Sequence, residues 1–179
     1  VKPSASGTDT IKETSMSNLI AVVFDDETTA FEMRAALLRM QKEYLIDLED
    51  SVVVTRDSKG RIKLDQAVNL TSVGAIGGGF WGMLIGMIVL NPILGVAVGA
   101  TAGAIAGRFR DVGIDDKVAR DIGNSLKPGT SALFVLVRRA TLDKVLDGLK
   151  QFAGKGKVFQ TSLSKDDEES LRETLERAA

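Results

Sequence analysis

The 179-residue sequence contains no cysteine and no histidine. The first absence removes disulfides, thiolate metal sites and thiol nucleophiles. The second removes the commonest general base and the commonest transition-metal ligand. Neither sign of charge is in excess: 23 Lys and Arg face 24 Asp and Glu, which argues against a strongly basic nucleic-acid binder. There is no Walker lysine motif, no G-x-S-x-G elbow and no H-E-x-x-H pair, and no spacing marks a serine or lysine nucleophile with its base. No enzyme activity and no cofactor are expected.

A further absence is local. Between Asp65 and Arg108 lie 42 consecutive residues without a charged side chain. The inner stretch from Val73 to Gly107 holds ten of the 18 glycines and the single Trp. Only Asn91, Pro92 and Thr101 in it are neither apolar nor glycine. Charges recur every few residues elsewhere, so one chain carries two solvent preferences. This divides the sequence into a tail (1–17, a disordered end or cloning remnant), a first half (18–66), an apolar insertion (67–107) and a second half (108–179).

The two halves share a pattern. LIAVVFDDETTAFEMRAALLRM begins with the apolar run Leu19 to Phe24, a buried strand. Ala30, Met33, Leu37, Met40 and Tyr44 then recur at the helical period, with Asp26 or Thr28 as cap. Asp50 to Thr55 is a second strand, and the turn 57–60 leads to a returning strand at 61–64. In the second half a short helix spans Ile114 to Leu126, ended by Pro128-Gly129. ALFVLV (132–137) is a strand, and Thr141 caps a helix bearing Leu142, Val145, Leu146 and Leu149. Val158 to Thr161 is the last strand. Ser164 opens a last helix with Leu171, Leu175 and Ala178 on one side and a Glu173–Arg177 pair on the other. Two βαβ halves of this kind predict an α+β, ferredoxin-like domain: a four-stranded antiparallel sheet with two helices on one face, interrupted by the apolar insertion.

Within the insertion, Gly74, Gly78, Gly82 and Gly86 fall at steps of four, as do Gly95, Gly99, Gly103 and Gly107. Such steps place each set along one helix face. Glycine inside a helix costs about 1 kcal/mol relative to alanine, which close approach of two helix backbones offsets, as in small-xxx-small packing. Asn91-Pro92 supplies the turn of a helical hairpin. Gly77, Gly79 and Gly82 also fit G-x-G-x-x-G, but no acidic residue follows at the dinucleotide-binding distance. The packing seam accounts for the same glycines without a ligand.

The outward residues Phe80, Trp81, Leu84, Ile85 and Ile88 exceed what the partner arm can bury, so they face lipid or other subunits. Val73 to Leu90 would span about 27 Å as helix and Ile93 to Gly107 about 22 Å, against the roughly 20 residues of a spanning helix. Lys59, Arg61 and Lys63 precede the insertion and Arg108 and Arg110 follow it. This places both termini on the cytoplasmic side of a membrane; the alternative is a cytoplasmic homo-oligomer whose hairpins share one apolar core. The expected partners are membrane lipids and copies of the same chain, without nucleic acid.

The segments LIAVVFDDETTAFE, NLTSVGAIGGGFWGMLIGMIVLNPILGVAVGATAGAIAGRF, LKPGTSALFVLVRRAT and VFQTSLSKDDEESLRE resemble a bacterial predicted membrane-protein family, domain of unknown function twelve sixty-nine. The resemblance runs from Ser17 to the C-terminus and implies a shared layout; it carries no activity onto any residue. The acidic clusters Asp25-Asp26-Glu27, Glu49-Asp50, Asp115-Asp116 and 166–169 could bind Mg²⁺ or Ca²⁺, but each sits at an element end, where acids cap. Arg138-Arg139 and the Lys155–Lys157 segment could meet anionic headgroups or simply be solvated. A ligand-sensing role remains a third alternative, by analogy of fold.

Overall fold

The computed structural model describes residues 17–66 and 116–177, with Gly86 alone between them. Its elements are β1 (Asn18–Phe24), α1 (Thr29–Lys42), β2 (Ile46–Arg56), β3 (Ile62–Gln66), α2 (Asp116–Ser125), β4 (Thr130–Ala140), α3 (Leu142–Leu149), a 3-10 turn (Lys150–Phe152), β5 (Gly156–Thr161) and α4 (Lys165–Glu176). The domain is α+β. Five antiparallel strands stand in the order β3-β2-β4-β1-β5, with four helices.

Strands β1 and β4 carry unbroken apolar runs because both faces of the sheet are covered. Val22, Phe24, Leu133, Val135 and Val137 meet α1, α3 and α4 on one face. Ala21, Val23, Ala132 and Phe134, with Val52 and Val54 of β2, meet Ile122 and Leu126 at the end of α2 on the other. Three helices therefore lie on one face and one on the opposite face, where sequence periodicity predicts two on a single face. The sheet also has five strands rather than four, because β3 continues it beyond β2. Strand β2 begins four residues before its predicted start: Asp47 and Glu49 conceal a segment that pairs with the far end of β4.

Tyr44 departs from the helical reading. It lies past α1 with a positive φ of 58° and is 94% exposed. Its N–H donates to Gln41 O at 3.1 Å and the Leu45 N–H to Met40 O at 3.0 Å. That pair of bonds is a Schellman ending, whose left-handed position usually holds glycine. The periodic signal ran one turn too far because an aromatic residue occupies the terminating position.

Strand β5 is one edge of the sheet. Its outward-facing Val158 N–H donates to Glu176 Oε1 at 2.9 Å, and its carbonyl accepts from Arg172 Nη1. Arg172 and Glu176 are themselves paired at 3.0 Å, so side chains of α4 fill the place of a further strand there. An edge so occupied resists pairing with foreign strands. Gly156, which starts β5, sits where a β-carbon would come within 2.8 Å of Phe24 Cε1 and Val22 Cγ1.

Two substitutions should act in opposite directions in chemical denaturation. Tyr44→Gly relieves the left-handed backbone and should stabilise the fold by about 1 kcal/mol. Gly156→Ala forces a methyl against Phe24 and Val22 and should cost about 1–3 kcal/mol.

Candidate functional site

Of the residues singled out in the apolar insertion, only Gly86 is among those described, and it is helical. Gly74, Gly78, Gly82, Gly95, Gly99, Gly103 and Gly107, the turn Asn91-Pro92, and Phe80, Trp81, Leu84, Ile85 and Ile88 lie outside the described residues, as do Arg108 and Arg110. Among the described residues, no helix is long and apolar enough to cross a membrane.

The flanks of the insertion are described in detail. Before it, β3 is tied to the helical layer by Arg34 of α1, which donates to Asp65 O at 2.8 Å and to Asp65 Oδ1 at 2.6 Å. The Arg34 side chain is mostly buried and lies 5.3 Å from the Phe31 ring centre, while the Asp65 carboxylate is exposed. After it, α2 is closed by Arg56 of β2, whose Nη1 donates to Leu126 O at 2.9 Å. The Gly129 N–H in turn donates to Arg56 O at 2.7 Å. A cation at a helix C-terminus also complements the helix dipole. Both flanks of the uncharged segment are thus pinned by arginines of the first half.

The acidic cluster at 25–27 is built as a cap. The Asp26 carboxylate accepts from the Thr28 N–H at 2.7 Å, the Thr29 N–H at 2.7 Å, Thr28 Oγ1 at 2.9 Å and Thr29 Oγ1 at 2.5 Å. Its backbone carbonyl accepts from Ser131 Oγ at 2.6 Å, which fixes the turn to the start of β4. Burial by itself would raise the Asp26 pKa, but the bonds from Thr29 and Thr28 outweigh it and lower the value to about 2. Thr28 occupies the N-cap position yet its hydroxyl makes no capping bond; it serves Asp26 instead. At α4, Ser164 Oγ accepts from the Asp167 N–H at 3.2 Å, the cap its sequence pattern predicts. Glu173 and Arg177 meet at 2.9 Å. Thr141 stands at the N-cap of α3 without a side-chain cap bond.

Two concavities are present among the described residues. One is an apolar cavity of about 60 Å³ between the sheet and α1, α3 and α4, lined by Val22, Met33, Leu37, Val145 and Leu149 among others. It is far below the roughly 300–1,000 Å³ of ligand pockets and is a packing defect. The other is an open groove of about 500 Å³ between the end of α2, the end of β1 and the turn into β5. Asn124, Ser125, Lys127, Lys155, Lys157 and Phe159 line it, with Asp25 and Glu176. Lys155 and Lys157 were legible as a basic segment. Lys127 was not, because 27 residues separate it from Lys155 and only the crossing of α2 over the sheet brings them together.

Residues 75–176, more than half of the chain, match a family described as "Protein of unknown function (DUF1269)". No curated protein and no solved structure matches.

The Asp26 cap has a definite pH signature. Its folded pKa lies below the unfolded value near 3.9, so its contribution is complete above about pH 5 and is lost progressively as pH falls through 4 toward 2. Asp26→Ala should cost about 1–2 kcal/mol at pH 7. In urea titrations the gap between wild type and variant should narrow steadily from pH 5 to pH 3.

Proposed function

This chain belongs to the DUF1269 family, and on that premise we propose that it is a non-enzymatic, membrane-associated protein that assembles with copies of itself. Assembly runs through a glycine-zipper hairpin inserted in a ferredoxin-like domain. The observation that carries this reading is the 42-residue uncharged segment with its two four-step glycine ladders. Its place in the topology supports the reading: the segment leaves β3 and re-enters at α2, while strands from either side of it pair in one sheet. The order β2-β4-β1-β5 is the one that two interleaved βαβ units give, with β3 added outside.

In this arrangement the glycine faces pack arm against arm, and Phe80, Trp81, Leu84, Ile85 and Ile88 turn outward to lipid. The cations on both flanks, Lys59, Arg61 and Lys63 before and Arg108 and Arg110 after, keep the domain and both termini on the cytoplasmic side. One observation favours a second reading. The arm from Ile93 to Gly107 has 15 residues, short of the roughly 20 needed to span a bilayer. In that reading the protein is a homo-oligomeric scaffold whose hairpins bury one another. Sizing one preparation in buffer and in detergent separates the two: a membrane hairpin needs detergent to give a defined particle, whereas a scaffold gives one in buffer alone.

Both readings depend on the ladder as a packing seam. Gly82→Leu and Gly99→Leu should dissociate the oligomer or lower its melting temperature, because a side chain enters the seam. Met83→Leu, off the ladder, should change neither. Since leucine favours helix over glycine by nearly 1 kcal/mol, unchanged or improved assembly in both glycine variants would defeat the proposal.

A further inference from the structure

We propose that the groove between α2, β1 and β5 binds a phosphate-bearing anion. This does not depend on the hairpin. The groove's volume of about 500 Å³ suits a ligand from pyrophosphate to a mononucleotide.

Its charge is set by residues from separate parts of the chain. Lys127 follows α2, while Lys155 and Lys157 flank Gly156 at the start of β5. Among the described residues none of these three ammonium groups is in an ion pair, whereas Arg34, Arg61, Arg138, Arg172 and Arg177 each have a carboxylate partner. Two carboxylates also line the groove. Glu176 is already committed, with its Oε1 held by the Val158 N–H and by Arg172. Asp25 remains, and Arg172 is shared between Glu176 and Glu168, so three lysines stand against two carboxylates and the surplus is one positive charge. Like charges in one concavity repel, and an anion relieves that repulsion. Lysine is a point-charge partner well suited to phosphate.

The sheet fixes part of this arrangement. Ala21 pairs with Gln160 and Val22 with Val158, which leaves Phe159 as the extra residue of a β-bulge on β5. Bulges re-aim side chains. Here Phe159 joins Lys157 in lining the groove, and the Lys157 ammonium lies 4.9 Å from the centre of the Phe159 ring. The ring is an apolar wall beside the cations, and Asn124 and Ser125 add neutral hydrogen-bonding groups.

The same phosphate chemistry is offered by a free phosphoanhydride or by a lipid headgroup, and two arms of one experiment distinguish them. The full-length protein is titrated calorimetrically with pyrophosphate. It is also floated with phosphatidylcholine vesicles made with and without phosphatidic acid. Both vesicles have the same apolar interior, so only the increment due to phosphatidic acid reports on the groove, and a hairpin that inserts in both leaves it unaffected. The expected result is saturable pyrophosphate binding, a phosphatidic-acid increment, or both. Each should fall roughly tenfold or more in the K127A/K157A variant and stay unchanged in K42A/K165A, which loses the same charge outside the groove. Binding of pyrophosphate without the increment identifies a free ligand, and the increment without pyrophosphate binding identifies a headgroup. Absence of both overturns the proposal. So does an equal loss in K42A/K165A, which would mean an adventitious ion only.

Discussion

Strand β4 pairs with β1 on one side and with β2 on the other, and apolar side chains cover both of its faces. Everything else in the described domain is placed by that strand. It belongs to the second half of the sequence, while both of its neighbours belong to the first, so the sheet closes across the uncharged insertion. The entropic cost of closing a longer loop grows only logarithmically with its length. The twelve apolar positions of two adjacent strands, Leu19 to Phe24 and Ala132 to Val137, easily outweigh that increment. The insertion can therefore be as alien in composition as it is without dividing the domain that carries it.

The strands and helices of the halves were legible because their signals are local. Apolar runs mark β1 and β4, and period and capping mark α1, α3 and α4. What escaped was set by contacts distant in sequence. Asp47 and Glu49 look like a loop until β4 lies alongside them, and β3 looks like a hairpin arm rather than a sheet edge. Nothing in the helical pattern of α2 says which face it covers. Tyr44 misled because periodicity cannot distinguish a last buried turn from a left-handed stop that happens to hold an aromatic residue. As for candidate sites, the glycine ladders are visible in the sequence alone, while the lysine groove exists only after α2 crosses the sheet.

Charge is distributed with a similar economy. Among the described residues most arginines are tied down: Arg34 and Arg56 at the flanks of the insertion, Arg172 at the β5 edge. Arginine's planar, multiply donating head suits such structural anchoring of carbonyls and carboxylates. The three groove lysines remain without ion-pair partners among the described residues, and their flexible stems suit an exchangeable ligand better than a fixed contact. The division of labour between the two cations separates what holds the fold from what faces outward.

The sheet order also sets a schedule for the newborn chain. As it leaves the ribosome from its N-terminal end, β1 emerges first, yet both of its sheet neighbours, β4 and β5, are made in the second half. Until residue 130 and beyond are synthesised, the first half can form only α1 and the β2–β3 hairpin. An isolated hairpin is marginal in water. The uncharged segment is thus exposed to its surroundings before the sheet that flanks it can exist. The protection of β5 comes later still, because Arg172 and Glu176 follow it in the chain. Whatever receives the segment at that moment, lipid, chaperone or a neighbouring copy, acts on a chain whose folded domain has yet to form.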